Sequence, residues 1–586
     1  MGRLILVLIL AAGFALRVWN NDYGLPFVYS IDEASHFTSR AVEMFWQDLD
    51  PGYYQNPAAF TYLVYGLLRA MYGPFGFLFH LSYGNVTAQF DKDPSEIWVA
   101  ARTLAAALGI VGVGATYAAA RRLWGMREGL VAAAVLAFAF LPVAYSRVAV
   151  TDVGALIGIA LALLFSVRAH EEDRLRDWAV AGGAAGLAAS FKYTAGLALL
   201  PLLIAALARP SARRAGGLAL GGVAAAAVFV VLNPYLFGSF GDWWRDLRDQ
   251  ADVAANHPKP GQRSGGVSYY LDSLTWGLGW VGIAAALAGA AIVLRRDLVR
   301  GLMLIALPVA LFAYLSVQSR YFGRWLLPAY PALAMLAAVA VVRLAELVSR
   351  RPRLVAPAAA ALTAALIAQP LAADIRTARV LGRADTLTQA RAYLDRHYPP
   401  ELRVSIEPAI PGRYFRSNPD GRIPAWLGRC PRRAGWTEQG WSYATAGGRR
   451  VCARYKPGMF VRPDGGVRAS AYHAVLSPGV IDDYRLYGYC LVMTVNVVRD
   501  RAERDPAARA YYARLEREST LVREFSPYDR GADPVPFNFD LSYNYYPTAY
   551  ERPGPTVRLY RLHDCEQGYG PSLIRVPKAK EPAPFS

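Results

Sequence analysis

Eleven apolar stretches divide the first two thirds of the chain, and a polar third follows without one. Most approach the roughly 20 residues a helix needs to cross a bilayer. They run Arg3–Trp19, Ile97–Ala120, Glu128–Ser146, Asp152–Ala169, Trp178–Phe191, Ala195–Ala208, Ala215–Phe237, Leu274–Leu294, Gly301–Val317, Trp325–Val342 and Leu354–Ala373. A further segment, Pro57–Leu81, is rich in Tyr and Phe, and charge decides its place. Basic clusters stand at Arg121-Arg122…Arg127, Arg168…Arg174…Arg176, Arg209…Arg213-Arg214, Arg295-Arg296…Arg300 and Arg343…Arg353. Lys and Arg are retained on the cytoplasmic side. All five clusters fall on that side if Pro57–Leu81 does not cross. That segment then returns to its own face as an interfacial or half-inserted helix, its aromatics suited to the headgroup layer. The N-terminus is expected inside, the loop 20–96 outside and the C-terminus outside.

Beyond Asp374 the pattern changes period. Asp385–His397 is amphipathic, with Leu387, Ala390, Tyr393 and Leu394 on one face, and Pro399-Pro400 ends it. Pro506–Ser519 predicts a second helix with Asp505 as N-cap and Pro506 at the first position. Arg403–Ile406 and Thr556–Leu562 predict strands. The expectation is a polytopic α-helical membrane domain, 1–373, followed by an extracytoplasmic α+β domain, 374–586.

Composition agrees: 54% of the 586 residues are hydrophobic and only 18% charged. The net charge of +18 is explained by cytoplasmic loops rather than by a nucleic-acid partner. No Walker A, zinc-ligand spacing or basic-aromatic strip accompanies it. The first span lacks a convincing cleavage site and reads as a retained helix. All four cysteines, Cys430, Cys452, Cys490 and Cys565, lie in the polar third. Their even number and confinement predict disulfides in an oxidising compartment. Three pairings are open, and loop-local pairing would join Cys430 to Cys452 and Cys490 to Cys565. The alternative is four buried thiols.

With the topology set, unusual polar residues collect at the outer rim. Asp32, Glu33 and His36 follow the first span, and Gln55-Asn56 open the interfacial segment. Asp152 and Lys192 sit in two short outer turns. His257, Lys259, Arg263, Tyr269 and Tyr270 lie in the loop after the seventh span, and Arg320 and Arg324 in the turn before the tenth. An isolated Asp-Glu pair is most simply a helix cap. A single outer cation can snorkel to headgroups. Three basic turns facing two acidic ones suit a different chemistry. Cations can hold a lipid phosphate and stabilise the charge that develops as it leaves. A carboxylate can take the proton of an acceptor hydroxyl. A sugar on a polyprenyl phosphate would then be transferred with inversion.

Several pieces carry a resemblance to a known superfamily. They are Ile31-Asp32-Glu33-Ala34, Tyr54-Gln55-Asn56-Pro57, Arg102…Arg121-Arg122-Leu123-Trp124-Gly125, Tyr145…Thr151-Asp152, Ser190-Phe191-Lys192 and Arg320-Tyr321…Leu327-Pro328…Pro331. In this order they resemble GT-C glycosyltransferases, in the branch of protein O-mannosyltransferases and the lipid A aminoarabinose transferase. The resemblance covers about residues 1–340. It implies a GT-C fold of about eleven transmembrane helices in a cell membrane, and a polyprenyl-phosphate-linked sugar donor. The acceptor would be a glycan, protein or lipid. It implies Asp32 as base with Glu33 in support, and Lys192, Arg320 and Arg324 on the carrier phosphate. Asp152 would shape the site or bind a metal, so a divalent metal is the one cofactor left open. His36, Gln55, Asn56, His257, Arg263, Tyr269 and Tyr270 are the remaining candidates for substrate contacts. The chain departs from the aminoarabinose branch at Gln55-Asn56-Pro57, where that branch has Glu-Lys-Pro. The missing carboxylate weighs against a metal site and a lipid A acceptor. A transporter or flippase of lipid-linked intermediates is the alternative. It predicts internal repeats and midplane charges, and the sequence shows no repeat.

Overall fold

A computed structural model describes residues 2–30, 32–46, 48–76, 86–258, 262, 265–349, 351–399, 402, 404–407, 477–486, 488–496, 499–500, 505–535 and 548–568. Arg263, Cys430 and Cys452 lie outside the described residues. The chain divides into two compact units. One comprises 1–21, 32–83 and 97–379, the other 22–31, 84–96 and 380–586.

The first unit is helical. Among the described residues six helices are long and apolar enough to cross a membrane, or eight when each of two bent pairs counts as one span. Gly2–Val18 and Leu175–Phe191, at 17 residues each, are shorter. Local breaks explain why continuous apolar runs in the sequence become interrupted helices. Met126–Phe138 and Phe140–Ser146 meet at 57° across Ala139, where the backbone is extended and Pro142 follows. Gly266–Gly277 and Trp280–Arg296 meet at 104°. Between them Gly279 has φ +87°, where a side chain would be strained. The aromatic segment forms the helix Ala59–Tyr72. Its 14 residues span about 21 Å, short of a 30 Å hydrocarbon core.

Small residues let these helices approach closely. Helix Leu175–Phe191 packs on Ala212–Leu232 through Gly182 and Gly186 against Gly221 and Ala225. A Cβ on Gly182 would lie 1.9 Å from the Gly221 carbonyl oxygen, and one on Gly186 2.3 Å from that of Ala225. Water drives no helix association inside lipid, so this close contact is itself the adhesive force.

The second unit is a four-stranded sheet with helices. Strands β1 (Val404–Ile406), β2 (Leu491–Val495), β3 (Ser519–Phe525) and β4 (Val557–Leu562) lie in the order β1-β2-β4-β3. β1 is parallel to β2, and β4 is antiparallel to both of its neighbours. Asp385 caps helix Thr386–His397 by accepting from the Thr388 amide at 2.9 Å. Asp505 caps Pro506–Arg517 by accepting from the Ala507 and Ala508 amides. Leu387, Ala390 and Leu394 join Tyr511, Tyr512 and Leu515 over the sheet. Phe27 and Tyr29, from the segment 22–31, complete this core, and the Tyr29 hydroxyl donates to Asp385. Cys490 and Cys565 form a disulfide that ties the start of β2 to the chain just after β4.

Candidate functional site

The loop after the first helix winds as a π-helix over Glu33–Phe37, preceded by Asp32. Such wide turns are rare and concentrate at functional sites. Asp32 pairs with Arg324, which follows Gly323 at the start of the turn Gly323–Ala329. Arg324 Nε also lies 4.0 Å from Asp152 Oδ2. Asp152 in turn holds Lys192 Nζ at 2.9 Å. On the other side of Asp32, His36 Nε2 is 3.7 Å from Oδ1. The order His36, Asp32, Arg324, Asp152, Lys192 is thus a chain of charged or ionisable groups with alternating sign.

Local structure presents each member. Lys192 has extended backbone between the helix Leu175–Phe191 and the 3-10 turn Tyr193–Leu199, so its side chain leaves at a break. Thr151 beside Asp152 donates to the Phe191 carbonyl at 2.8 Å, locking the Asp152 and Lys192 turns together. The Arg324 turn is held from below. Tyr270 Oη accepts from the Phe322 amide at 3.3 Å, and Tyr269 Oη from the Gly323 amide at 3.0 Å. Arg324 lies 4.7 Å from the Phe322 ring centre, a cation–π distance.

Exposure grades along the cluster. Side-chain exposure is 5% for Asp152, 11% for Lys192, 14% for Arg324 and 29% for Asp32. Asp32 and His36 are therefore the members open to an incoming group. Tyr53 stacks on His36 with ring centres 4.3 Å apart and planes 2° from parallel. Burial, then the Asp32 carboxylate, pushes the Tyr53 hydroxyl well above its ordinary range, so it stays protonated.

Glu33 turns away from this group. Its carboxylate takes two hydrogen bonds from Arg102, 2.7 Å from Nε and 3.0 Å from Nη2, with both side chains fully buried. The Ala149 amide adds a third at 2.9 Å. The partner of Glu33 is thus a buried guanidinium on the helix Ser95–Leu123. Arg40, further along the same segment, pairs with Glu43 at 3.1 Å.

The other sequence candidates lie around the cluster rather than in it. Arg320 Nε donates to the His257 carbonyl at 2.9 Å, and its amide donates to Ala254. It fastens the C-terminal end of helix Leu236–Asn256. Burial pulls the Arg320 guanidinium down, with nearby Asp32 opposing. The His257 ring is exposed and faces Asp252 at 3.5 Å. Asn56 donates to Tyr53 Oη at 2.7 Å, and Gln55 is exposed. Arg102, Tyr53 and Gln262, which bonds to Tyr321 through both ends of its amide, carry structural weight that spacing did not announce.

The donor set does not fit a metal centre. Among the described residues no three His, Cys, Asp or Glu side chains converge, and Asp152 is occupied by Lys192. Two cations stand where a metal would otherwise balance the acids.

Residues 95–237, which contain Arg102, Asp152 and Lys192, match the family described as dolichyl-phosphate-mannose-protein mannosyltransferase. The match covers 143 of the chain's 586 residues. The chain is similar to ArnT from Cupriavidus metallidurans bound to undecaprenyl phosphate, at 17% identity and TM-score 0.48, over 70% of this chain and 83% of that one. It is similar to the apo form of the same protein at 16% and 0.45, over 68% and 81%. It is also similar to the Archaeoglobus fulgidus oligosaccharyltransferase in its apo form, at 15% and 0.47, over 68% and 58%. No curated protein matches the sequence.

Proposed function

We propose that this enzyme moves a sugar from a polyprenyl phosphate to an acceptor hydroxyl at the outer membrane face, with inversion and with Asp32 as general base. The observation that carries the reading is the interleaving of Asp32 and Asp152 with Arg324 and Lys192. Lys192 and Arg324 offer the carrier phosphate five or more donor hydrogens beside the leaving oxygen. When the phosphate draws on Arg324, Asp32 loses part of the partner that stabilises its charge. Its basicity then rises, in the complex where a base is needed. Lys192 stays beside Asp152 and neutralises the departing phosphate.

Glu33, behind the loop, supports Asp32 by fixing its helix to Arg102 and to the Ala149 amide. The cytoplasmic N-terminus and the outer location of loop 20–96 and of the C-terminal unit belong to the same reading, supported by the basic loops. A peptide or glycan acceptor fits it, and the carboxylate absent at Gln55-Asn56 argues against lipid A.

The test is Asp32→Asn, which keeps the shape and loses the basicity. Transfer, followed by mass spectrometry of acceptor glycans in a complemented deletion strain, should vanish while carrier binding persists. Normal transfer by Asp32→Asn would remove Asp32 from the mechanism.

A further inference from the structure

The proposed reaction releases a proton. A hydroxyl and a sugar phosphodiester monoanion give a glycoside, a phosphate monoester dianion and one H⁺. The acceptor O–H bond breaks as its oxygen bonds to the sugar's anomeric carbon. The bond from that carbon to the phosphate oxygen breaks with both electrons going to oxygen. The proton first reaches the base, which must lose it before the next cycle. On that reading carrier and acceptor stand at Asp32 during transfer, so the proton needs a neighbouring group to carry it on to water.

We propose that His36 is that path: it takes the proton from Asp32 and passes it to solvent. This rests on Asp32 being the base. The two ring nitrogens face different ways. Nε2 lies 3.7 Å from Asp32 Oδ1, within reach of one small side-chain rotation or one bridging water. Nδ1 lies 3.3 Å from Ser35 Oγ. The side chain is 26% exposed, so it borders both the cluster and water. A neutral imidazole that accepts at one nitrogen and donates from the other needs no net displacement. Tyr53 holds the ring plane by stacking face to face at 4.3 Å. Its hydroxyl stays protonated and does not compete for the proton. Among the described residues, the titratable and charged groups facing His36 include Asp32 on its own turn and Tyr53 across from it. Arg324 and Arg320 follow beyond Asp32. When the phosphate occupies Arg324, the cations nearest His36 are partly neutralised, which favours its charged form at the moment it must accept.

The test uses the full-length enzyme in membranes, following polyprenyl phosphate released from the endogenous sugar-charged carrier. His36→Ala should slow release about 10²-fold, the usual scale for one proton-transfer group. Free imidazole added to the medium should restore much of it, with a pH dependence that moves when a methylimidazole of different basicity is used. His36→Phe keeps the stack on Tyr53 and cannot carry a proton, so it should be as slow as His36→Ala. Carrier binding should be unchanged in both. Wild-type release by His36→Phe, or a loss in His36→Ala that imidazole does not touch, overturns the proposal. Asp32→Asn separates the two readings. If it is inactive while the His36 variants are normal, only the relay fails. If it is active, the base assignment itself fails.

Discussion

The buried pair of Glu33 and Arg102 gives the sharpest test of how the site is held. Both side chains are wholly enclosed, and the carboxylate accepts three hydrogen bonds, two from Arg102 and one from the Ala149 amide. Arg102 also donates to the Asn21 carbonyl at 2.7 Å. Glu33→Gln removes the negative charge and leaves the guanidinium buried without compensation. Breaking a buried pair from one side costs about 3–5 kcal/mol. Gln keeps one acceptor oxygen, so the lower end, about 3 kcal/mol, is expected. Replacing both partners by apolar residues removes the uncompensated charge, and such exchanges are often neutral. The assay is thermal unfolding of the full-length protein in lipid nanodiscs for wild type, Glu33→Gln, Arg102→Met and the double variant Glu33→Leu/Arg102→Met. Each single variant should unfold several degrees lower, and the double should recover most of the loss. The double should still transfer sugar poorly, because the anchor to Ala149 is gone. Additive single and double effects, or a Glu33→Gln protein as stable as wild type, would refute the claim that this pair holds the loop.

Three further outcomes are expected. Lys192→Ala should lower kcat/KM for the carrier by about 2–4 kcal/mol in transition-state stabilisation, measured by carrier turnover; unchanged turnover would reduce Lys192 to a snorkelling cation. Cysteine substitutions at Ser95 and Glu128, probed with an impermeant label, should place Ser95 outside and Glu128 inside, and both on one side would undo the topology. Burial pushes the Glu407 carboxyl up to about 8, against hydrogen bonds from Tyr512 and the Val495 amide. The folded state therefore holds a proton that the unfolded chain releases near 4.5. This contribution is full below that value and is lost as pH rises through about 8, with a slope of at most about 1.4 kcal/mol per pH unit. Glu407→Gln should flatten that part of the stability profile, and an unchanged slope would exclude Glu407 as its source.

Charge made the site legible and packing hid its supports. Asp32, Asp152, Lys192 and Arg324 stand out in the sequence because each interrupts apolar surroundings at a helix boundary, where an ion is expensive without a purpose. The expected topology then puts them on one rim. Arg102 gives no such signal. It lies about two turns inside the apolar helix Ser95–Leu123, and nothing in its spacing names Glu33 as its partner 69 residues earlier. Arg320 is the reverse case. It has the right type and place for phosphate, yet the helix end at Ala254 and His257 claims it. In the second unit the two capped helices were readable from Asp385, Asp505 and Pro506. β2 is buried at every position, so it lacks the alternation that marks a strand. β3 is exposed along most of its length and carries no apolar face to detect. The joining of Phe27 and Tyr29 to a core formed some 360 residues later is a long-range contact with no local trace.

The charge balance of the cluster connects these observations to the reaction. Asp32 and Asp152 carry two negative charges, and Arg324 and Lys192 two positive ones. Without a substrate the four compensate one another. A sugar phosphodiester adds one negative charge, and the phosphate monoester left after transfer adds two. The site thus becomes progressively more negative as the reaction proceeds. The proton taken from the acceptor offsets that change while it stays on Asp32 or His36. It leaves most readily once the carrier departs and Arg324 returns to Asp32. On this mechanism the carrier's charge favours proton uptake when it binds, and its release favours proton loss. On the proposed mechanism one pair of cations thereby couples the two halves of the cycle.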